Sequence, residues 1–188
     1  ENGELGDGQL TDSDTFNLVE LGGKAVRQIS AFGSHSLFVT TDGELYGFGD
    51  NSYKQLGLGA STEEESTPVK IVETGVLAAF TGYSSSIFIK SDGSLWGMGW
   101  NDFGQLGLGD ELERTTPTLI VASGVALAAC GQAHNLYVTT TGDLYAMGNN
   151  GNGQLGDMST TDRNTPVAVD GGTGVSQVSA GTDHSIFV

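Results

Sequence analysis

The hydrophobic positions of this chain fall in short alternating runs. Ser36-Leu37-Phe38-Val39, Leu45-Tyr46-Gly47-Phe48-Gly49 and Val69-Lys70-Ile71-Val72 each change character at about every second residue. A period of two marks a strand, whose successive side chains leave on opposite faces. No useful 3.6-residue period occurs, so no helix is predicted. Asp42-Gly43 stands between two such runs, as do Asp92-Gly93 and Thr141-Gly142. Asp-Gly flanked by alternating apolar residues is a strong hairpin signal. On the returning strand an aromatic alternates with a small residue: Tyr46 with Gly47, Trp96 with Gly97, Tyr145 with Ala146. Small residues at those places let a neighbouring sheet approach closely.

The runs recur as a set. Gln55-Leu56-Gly57 returns as Gln105-Leu106-Gly107 and Gln154-Leu155-Gly156, with a degenerate copy at Glu4-Leu5-Gly6; the spacings are 51, 50 and 49 residues. A fixed period near 50 means stacked supersecondary units. Each unit has a polar, acidic loop ending in Thr-Pro (Thr67-Pro68, Thr116-Pro117, Thr165-Pro166, with Phe16-Asn17 as the departure). An apolar segment, a small-residue stretch such as Ile29-Ser30-Ala31 and the hairpin follow. Four short strands per unit describe a propeller blade. The expected fold is all-β: a β-propeller of four-stranded blades in one repeat domain. Its units run at about 1–51, 52–101, 102–150 and a truncated 151–188. Only the counterpart of Thr40 to Asn51, twelve residues, separates the chain from four full units. The expectation is a partial propeller or part of a seven-bladed one. Chains completing one another are the alternative.

The pattern Gly-x-x-His, then Asp-Gly-x-Leu-Tyr-x-x-Gly-x-Asn-x-x-Gly-Gln-Leu-Gly, then Thr-Pro resembles the repeat of the regulator of chromosome condensation family. It covers essentially the whole chain. The resemblance implies a seven-bladed propeller. Family members serve in nucleotide exchange on the Ran GTPase, chromatin binding, ubiquitin-ligase modules and inhibition of bacterial β-lactamases, so it leaves the function open.

Composition narrows the partners. Seven basic and 23 acidic side chains in 188 residues give a net charge of −16. Nucleic acid and anionic membranes repel such a surface, whereas a basic protein partner suits it. Thirty glycines against three prolines fit many tight turns. No apolar run approaches the roughly 20 residues of a membrane span, so no membrane insertion is expected. No signal peptide is visible, although Glu1 is not a natural start. Few lysines with abundant Gly, Ser, Thr and Asp suit an extracellular or cell-surface protein, with the cytoplasm as the alternative. The single Cys130 shares its repeat position with Ala31, Thr81 and Ala180, which predicts a small buried residue and no disulfide.

His35, His134 and His184 occupy one repeat position, filled by Ser85 in the remaining unit. A zinc site needs ligand atoms about 2 Å from one ion, and equivalent positions in different blades lie too far apart. Hydrogen bonding within or between blades is expected instead, with no catalytic, metal or cofactor residues. Gly47-Phe48-Gly49-Asp50-Asn51 superficially resembles a phosphate loop, but no helix follows it. Asp12-Ser13-Asp14 offers alternating carboxylates to calcium without any EF-hand pattern around them.

Two sets of residues break the repeat. Between Gln-Leu-Gly and Thr-Pro lie acidic loops: Asp7, Asp12 and Asp14; Glu63, Glu64 and Glu65; Asp110, Glu111 and Glu113; Asp157 and Asp162. Tyr53, Trp100 and Phe103 flank the Asn-x-x-Gly-Gln turn, and Tyr83 stands unmatched in another turn. Glu63, Glu64, Glu65, Asp110, Glu111, Glu113, Tyr53, Tyr83, Trp100 and Phe103 are therefore the candidate partner-binding residues. The function expected is a non-catalytic scaffold presenting propeller loops to a protein partner. Alternatives are a structural surface or fibre component assembling through open blade edges, and a guanine-nucleotide exchange factor for a small GTPase.

Overall fold

Residues 2–60 and 62–188 are described by a computed structural model; Glu1, from which the first repeat is counted, and Ser61 in the second acidic loop lie outside them. Within them the chain forms fourteen strands and no helix. The first sheet is β1 (Val26–Phe32), β2 (His35–Thr40), β3 (Leu45–Asp50) and β4 (Glu64–Val72). The second is β5 (Val76–Thr81), β6 (Ser85–Lys90), β7 (Leu95–Gly99) and β8 (Arg114–Val121). The third is β9 (Val125–Cys130), β10 (His134–Thr139), β11 (Leu144–Gly148) and β12 (Arg163–Ala168). β13 (Val178–Ala180) and β14 (Ser185–Phe187) pair as a two-stranded fourth sheet. Every pairing is antiparallel between chain neighbours, which is the meander of a propeller blade.

The hairpins close where the sequence places them. Gly43 donates its N–H to the Thr40 carbonyl and takes φ +81°, while Thr40 N–H bonds to Glu44 O. Gly93 and Gly142 repeat this geometry. The turn is thus a hydrogen-bonded one followed by a left-handed Gly, and only the Gly needs positive φ.

Packing between sheets follows from strand alternation. Leu37, Val39 and Leu45 of the first sheet face Ala79, Phe88 and Met98 of the second in one buried cluster. Ile87, Ile89 and Leu95 meet Ala128, Tyr137 and Met147 in the next. A third cluster joins Leu136, Val138 and Leu144 to Val178 and Ala180. The leucine of Gln-Leu-Gly completes each one. Leu56, Leu106 and Leu155 are fully buried, and Leu56 sits over Gly47, where a Cβ would come within 2.9 Å of it. The following glycine, Gly57 at φ +66°, lies under the Met98 sulfur, which a Cβ would meet at 2.5 Å. Met147 covers Gly107 in the same way, and Phe48 covers Gly6. On the opposite face of the first sheet β1 is open: Ile29 is 79% exposed, whereas Ala79, its counterpart in the second sheet, is 1% exposed.

The sheets are also stitched by polar bonds. Ser86 donates to the Gln55 carbonyl at 2.7 Å, Asn135 Nδ2 to Gln105 O at 2.8 Å and Ser185 to Gln154 O at 2.8 Å. Ser36 reaches Glu4 O at 3.1 Å, so the degenerate first copy docks as the others do. The histidines back these bonds up. His35 Nε2 lies 2.8 Å from Ser86 Oγ and His134 Nε2 3.0 Å from Ser185 Oγ. Each serine proton goes to a carbonyl, so the imidazole must be the Nε2–H tautomer, donating to the hydroxyl. Burial holds both histidines down to about 4, against the pull of Asp50 on His35 and of Asp183 on His134. Cys130 is half-buried as a free thiol, and burial pushes its ionisation up.

Candidate functional site

A meander carries its connections alternately to the two ends of each sheet. The β1–β2, β5–β6 and β9–β10 turns share one end with the long β3–β4, β7–β8 and β11–β12 loops. Backbone bonds confirm the sharing: Asp50 N–H donates to Ser34 O, Trp100 N–H to Ser84 O and Asn149 N–H to Ala133 O. All ten candidate residues lie at this end. Tyr83 is in the β5–β6 turn, Tyr53 and Glu63 are in the β3–β4 loop, and Glu64 and Glu65 open β4. Trp100, Phe103, Asp110, Glu111 and Glu113 are in the β7–β8 loop.

A buried asparagine shapes each long loop. Asn51 Oδ1 accepts the Leu56 N–H at 2.9 Å, and its amide donates to Thr62 O at 2.8 Å. Asn101 does the same with Leu106 N–H and the Asp110 and Leu112 carbonyls, and Asn150 with Leu155 N–H and the Ser159 and Thr161 carbonyls. The glutamine of Gln-Leu-Gly closes the turn from the other side. Its Oε1 accepts a backbone N–H from Tyr53, Phe103 or Asn152.

On this frame the aromatics of two adjacent sheets meet. The Tyr53 and Trp100 rings are 6.1 Å apart, and Trp100 meets Phe103 edge-on at 5.3 Å and 88°. Tyr53 is 48% exposed and Tyr83 51%, while Trp100 and Phe103 are half-buried. Tyr53, Trp100 and Phe103 form one patch; Tyr83 stands apart in its turn, with its carbonyl against Gly33.

The acidic candidates divide by role. Asp110 is a structural element of its loop: Arg114 binds both its oxygens, at 2.9 and 2.7 Å, and holds its carboxyl below the usual range with help from the Leu112 N–H. Asp157 repeats this with Arg163 in the third sheet; burial opposes ionisation there, yet bonds from Ser159, Arg163 and Asn150 hold it at about 2. Glu63, Glu64, Glu111 and Glu113 are exposed and Glu65 half-buried. Glu63 to Glu65 follow Tyr53 along the chain, and Glu111 and Glu113 follow Phe103. Among the described residues, no group of three or more His, Cys, Asp or Glu side chains converges to hold a metal ion.

Sequence reasoning marks Trp100 as unmatched but misses what it displaces. Position 100 is the counterpart of Asp50 and Asn149, and those two accept the amide of Gln55 at 2.7 Å and of Gln154 at 2.6 Å. Aligning the acceptors with their glutamines is the signal that would have found it.

A repeat model described as "Regulator of chromosome condensation (RCC1) repeat" matches residues 42–89, 92–138 and 141–188, and a second of the same description matches 26–55, 77–105 and 125–154. Protein RCC2 homolog of Xenopus laevis is 34% identical over 76 residues, covering 40% of this chain and 15% of that protein. The ultraviolet-B receptor UVR8 of Arabidopsis thaliana is 36% identical over 76 residues, covering 40% and 17%. Human WBSCR16 superposes with a TM-score of 0.89 at 24% identity, over 99% of this chain and 50% of that one. Prp20p of Saccharomyces cerevisiae, described with its binding properties to Gsp1p and histones, gives 0.75 at 22% identity, over 88% and 43%. The chain thus spans at most half the length of each, and the structural likeness shows the shared fold.

Proposed function

Because the chain belongs to the regulator of chromosome condensation (RCC1) repeat family, we propose that it acts as a non-catalytic protein-binding scaffold whose working surface is the loop end of its sheets. The observation that carries this reading is topological. All ten candidate residues are delivered to one end of the blades, and three of the aromatics form a patch across two of them. Exposed aromatics at the centre of a polar rim are the usual anchors of a protein interface. Prp20p shares the fold and is described as binding Gsp1p and histones; protein binding is the class of activity we carry over, and its partners are not.

The sign of the charge selects the partner. A net charge of −16, with glutamates at the same end of the sheets as the patch, favours a basic segment and speeds its encounter at low salt. The test replaces Glu63, Glu64, Glu65, Glu111 and Glu113 together by Gln and measures the affinity of an Arg-rich peptide between 50 and 300 mM salt. Weaker binding with a flatter salt dependence is expected. Binding of equal strength and slope in the neutralised chain would assign the glutamates to solubility alone.

A further inference from the structure

We infer that Trp100 is the anchor of this face for a cationic side chain, an Arg or Lys presented by the bound segment, and that it is retained at the expense of its own turn. The inference rests on the binding reading above and names the chemistry at its centre.

The expense is visible in the neighbouring turns. The amides of Gln55 and Gln154 each donate to the residue that ends the preceding strand, Asp50 Oδ2 at 2.7 Å and Asn149 Oδ1 at 2.6 Å. Indole carbon offers no such acceptor. Gln105 is fully buried and its Nε2 has no hydrogen-bond partner, although its Oε1 accepts the Phe103 N–H as in the other copies. A buried donor left unmade destabilises more than a made bond stabilises. Asp or Asn at position 100 would supply the acceptor, as both do elsewhere in this chain.

What stands there instead suits a cation. Indole is the best aromatic face for an ammonium or guanidinium group, and this chain already uses one so: Lys90 Nζ lies 5.0 Å over the Trp96 ring. Tyr53 and Phe103 brace the Trp100 ring from two adjacent blades. Glu63 and Glu64 follow Tyr53 in its own loop, Glu111 and Glu113 follow Phe103 in the other, and all four are exposed. Exposed carboxylates in both loops that carry the aromatics favour positive charge at this end of the sheets. Gln105 Nε2 is left without the acceptor that Asp50 and Asn149 supply to its counterparts.

The test uses the full chain and a fluorescein-labelled octapeptide of alternating Arg and Ser, with a Glu-Ser octapeptide as control. Binding is read by anisotropy and stability by thermal melting. Trp100→Asn is expected to weaken the Arg-Ser peptide at least tenfold while raising Tm by about 2–4 °C. Gln105→Met is expected to lower Tm less than Gln55→Met or Gln154→Met, since only Gln105 has no acceptor to lose. Unchanged peptide affinity in Trp100→Asn overturns the anchor while leaving the acidic face as a binding surface. A fall in Tm in that variant, or equal losses in the three Gln→Met variants, overturns the trade. Failure of the unaltered chain to prefer the Arg-Ser peptide over the Glu-Ser control overturns the basic-partner reading itself.

Discussion

Acidifying the solution from pH 8 to pH 5 acts on two buried histidines before it reaches the carboxylates. His35 and His134 sit at about 4 in the folded chain, against 6.5 when exposed, because burial disfavours the imidazolium. A group whose folded value is depressed in this way binds fewer protons folded than unfolded between pH 6.5 and 4. Its contribution is therefore complete above pH 6.5 and is lost as pH falls toward 4. By pH 5 the unfolded imidazole is almost fully protonated and the folded one is not, a difference of about 2 kcal/mol for each residue. The carboxylates held below their ordinary range, among them Asp110 and Asp157, lose their contribution at lower pH. Urea melts of the unaltered chain and of a His35→Ser, His134→Ser double variant at pH 8, 7, 6 and 5 isolate the effect. Serine is the chain's own alternative there, at Ser85. The carboxylates are common to both proteins. The unaltered chain is expected to lose about 4 kcal/mol more than the variant by pH 5. Parallel stability curves across that range would refute the burial of neutral imidazole at the blade junctions.

The second junction offers a swap. Ser85 and Asn135 are the counterparts of the histidine and serine that pair at the flanking junctions, and Gly82 leaves the same space beside position 85 that Gly131 leaves beside His134. Ser85→His with Asn135→Ser should rebuild the His–Ser–carbonyl bond, giving a favourable coupling of about 1–2 kcal/mol in a double-mutant cycle, with Ser85→His alone destabilising. Leu106→Ala empties the plug between the second and third sheets, where Leu106 is fully buried. It should cost about 2–5 kcal/mol in urea denaturation with an unchanged m-value. Lys54 holds φ +60° where the other units have Gly3, Gly104 and Gly153. Lys54→Gly should stabilise by up to about 1 kcal/mol in the same measurement, and a loss would show that its contact with Thr62 O outweighs the strain.

Much of the architecture is legible in one sequence because each element repeats a local rule. The Asp-Gly and Thr-Gly dipeptides fall at the observed hairpins, and the alternation in Ser36-Leu37-Phe38-Val39 gives β2 and its inward Leu37 and Val39. The Gln-Leu-Gly spacing gives the period. Its phase is decided elsewhere: a cut after Asn51 falls inside the first sheet, between β3 and β4, because hydrogen bonding joins the strand that follows the acidic loop to the one before it. The ten candidate residues are legible as departures from the repeat. Their roles are not, since Asp110 reads like Glu111 until Arg114 is seen to grip it.

The sequence by itself determines the strands, their period and which positions are architecture, because strand alternation and turn chemistry act over a few residues. Only the tertiary structure decides what the repeat motif is for. Gln ties the loop, Leu fills the space between sheets, Gly admits the next sheet's methionine and the glutamine carbonyl receives its Ser or Asn. The methionine and the Ser or Asn come from the next sheet along the chain, and no local signal couples them to the motif. The Trp100–Gln105 mismatch lies within one loop, yet its meaning is also structural. Alignment shows that Trp100 stands where Asp50 and Asn149 stand, and the structure shows that those two accept the glutamine amide and that Gln105 Nε2 is left without a partner.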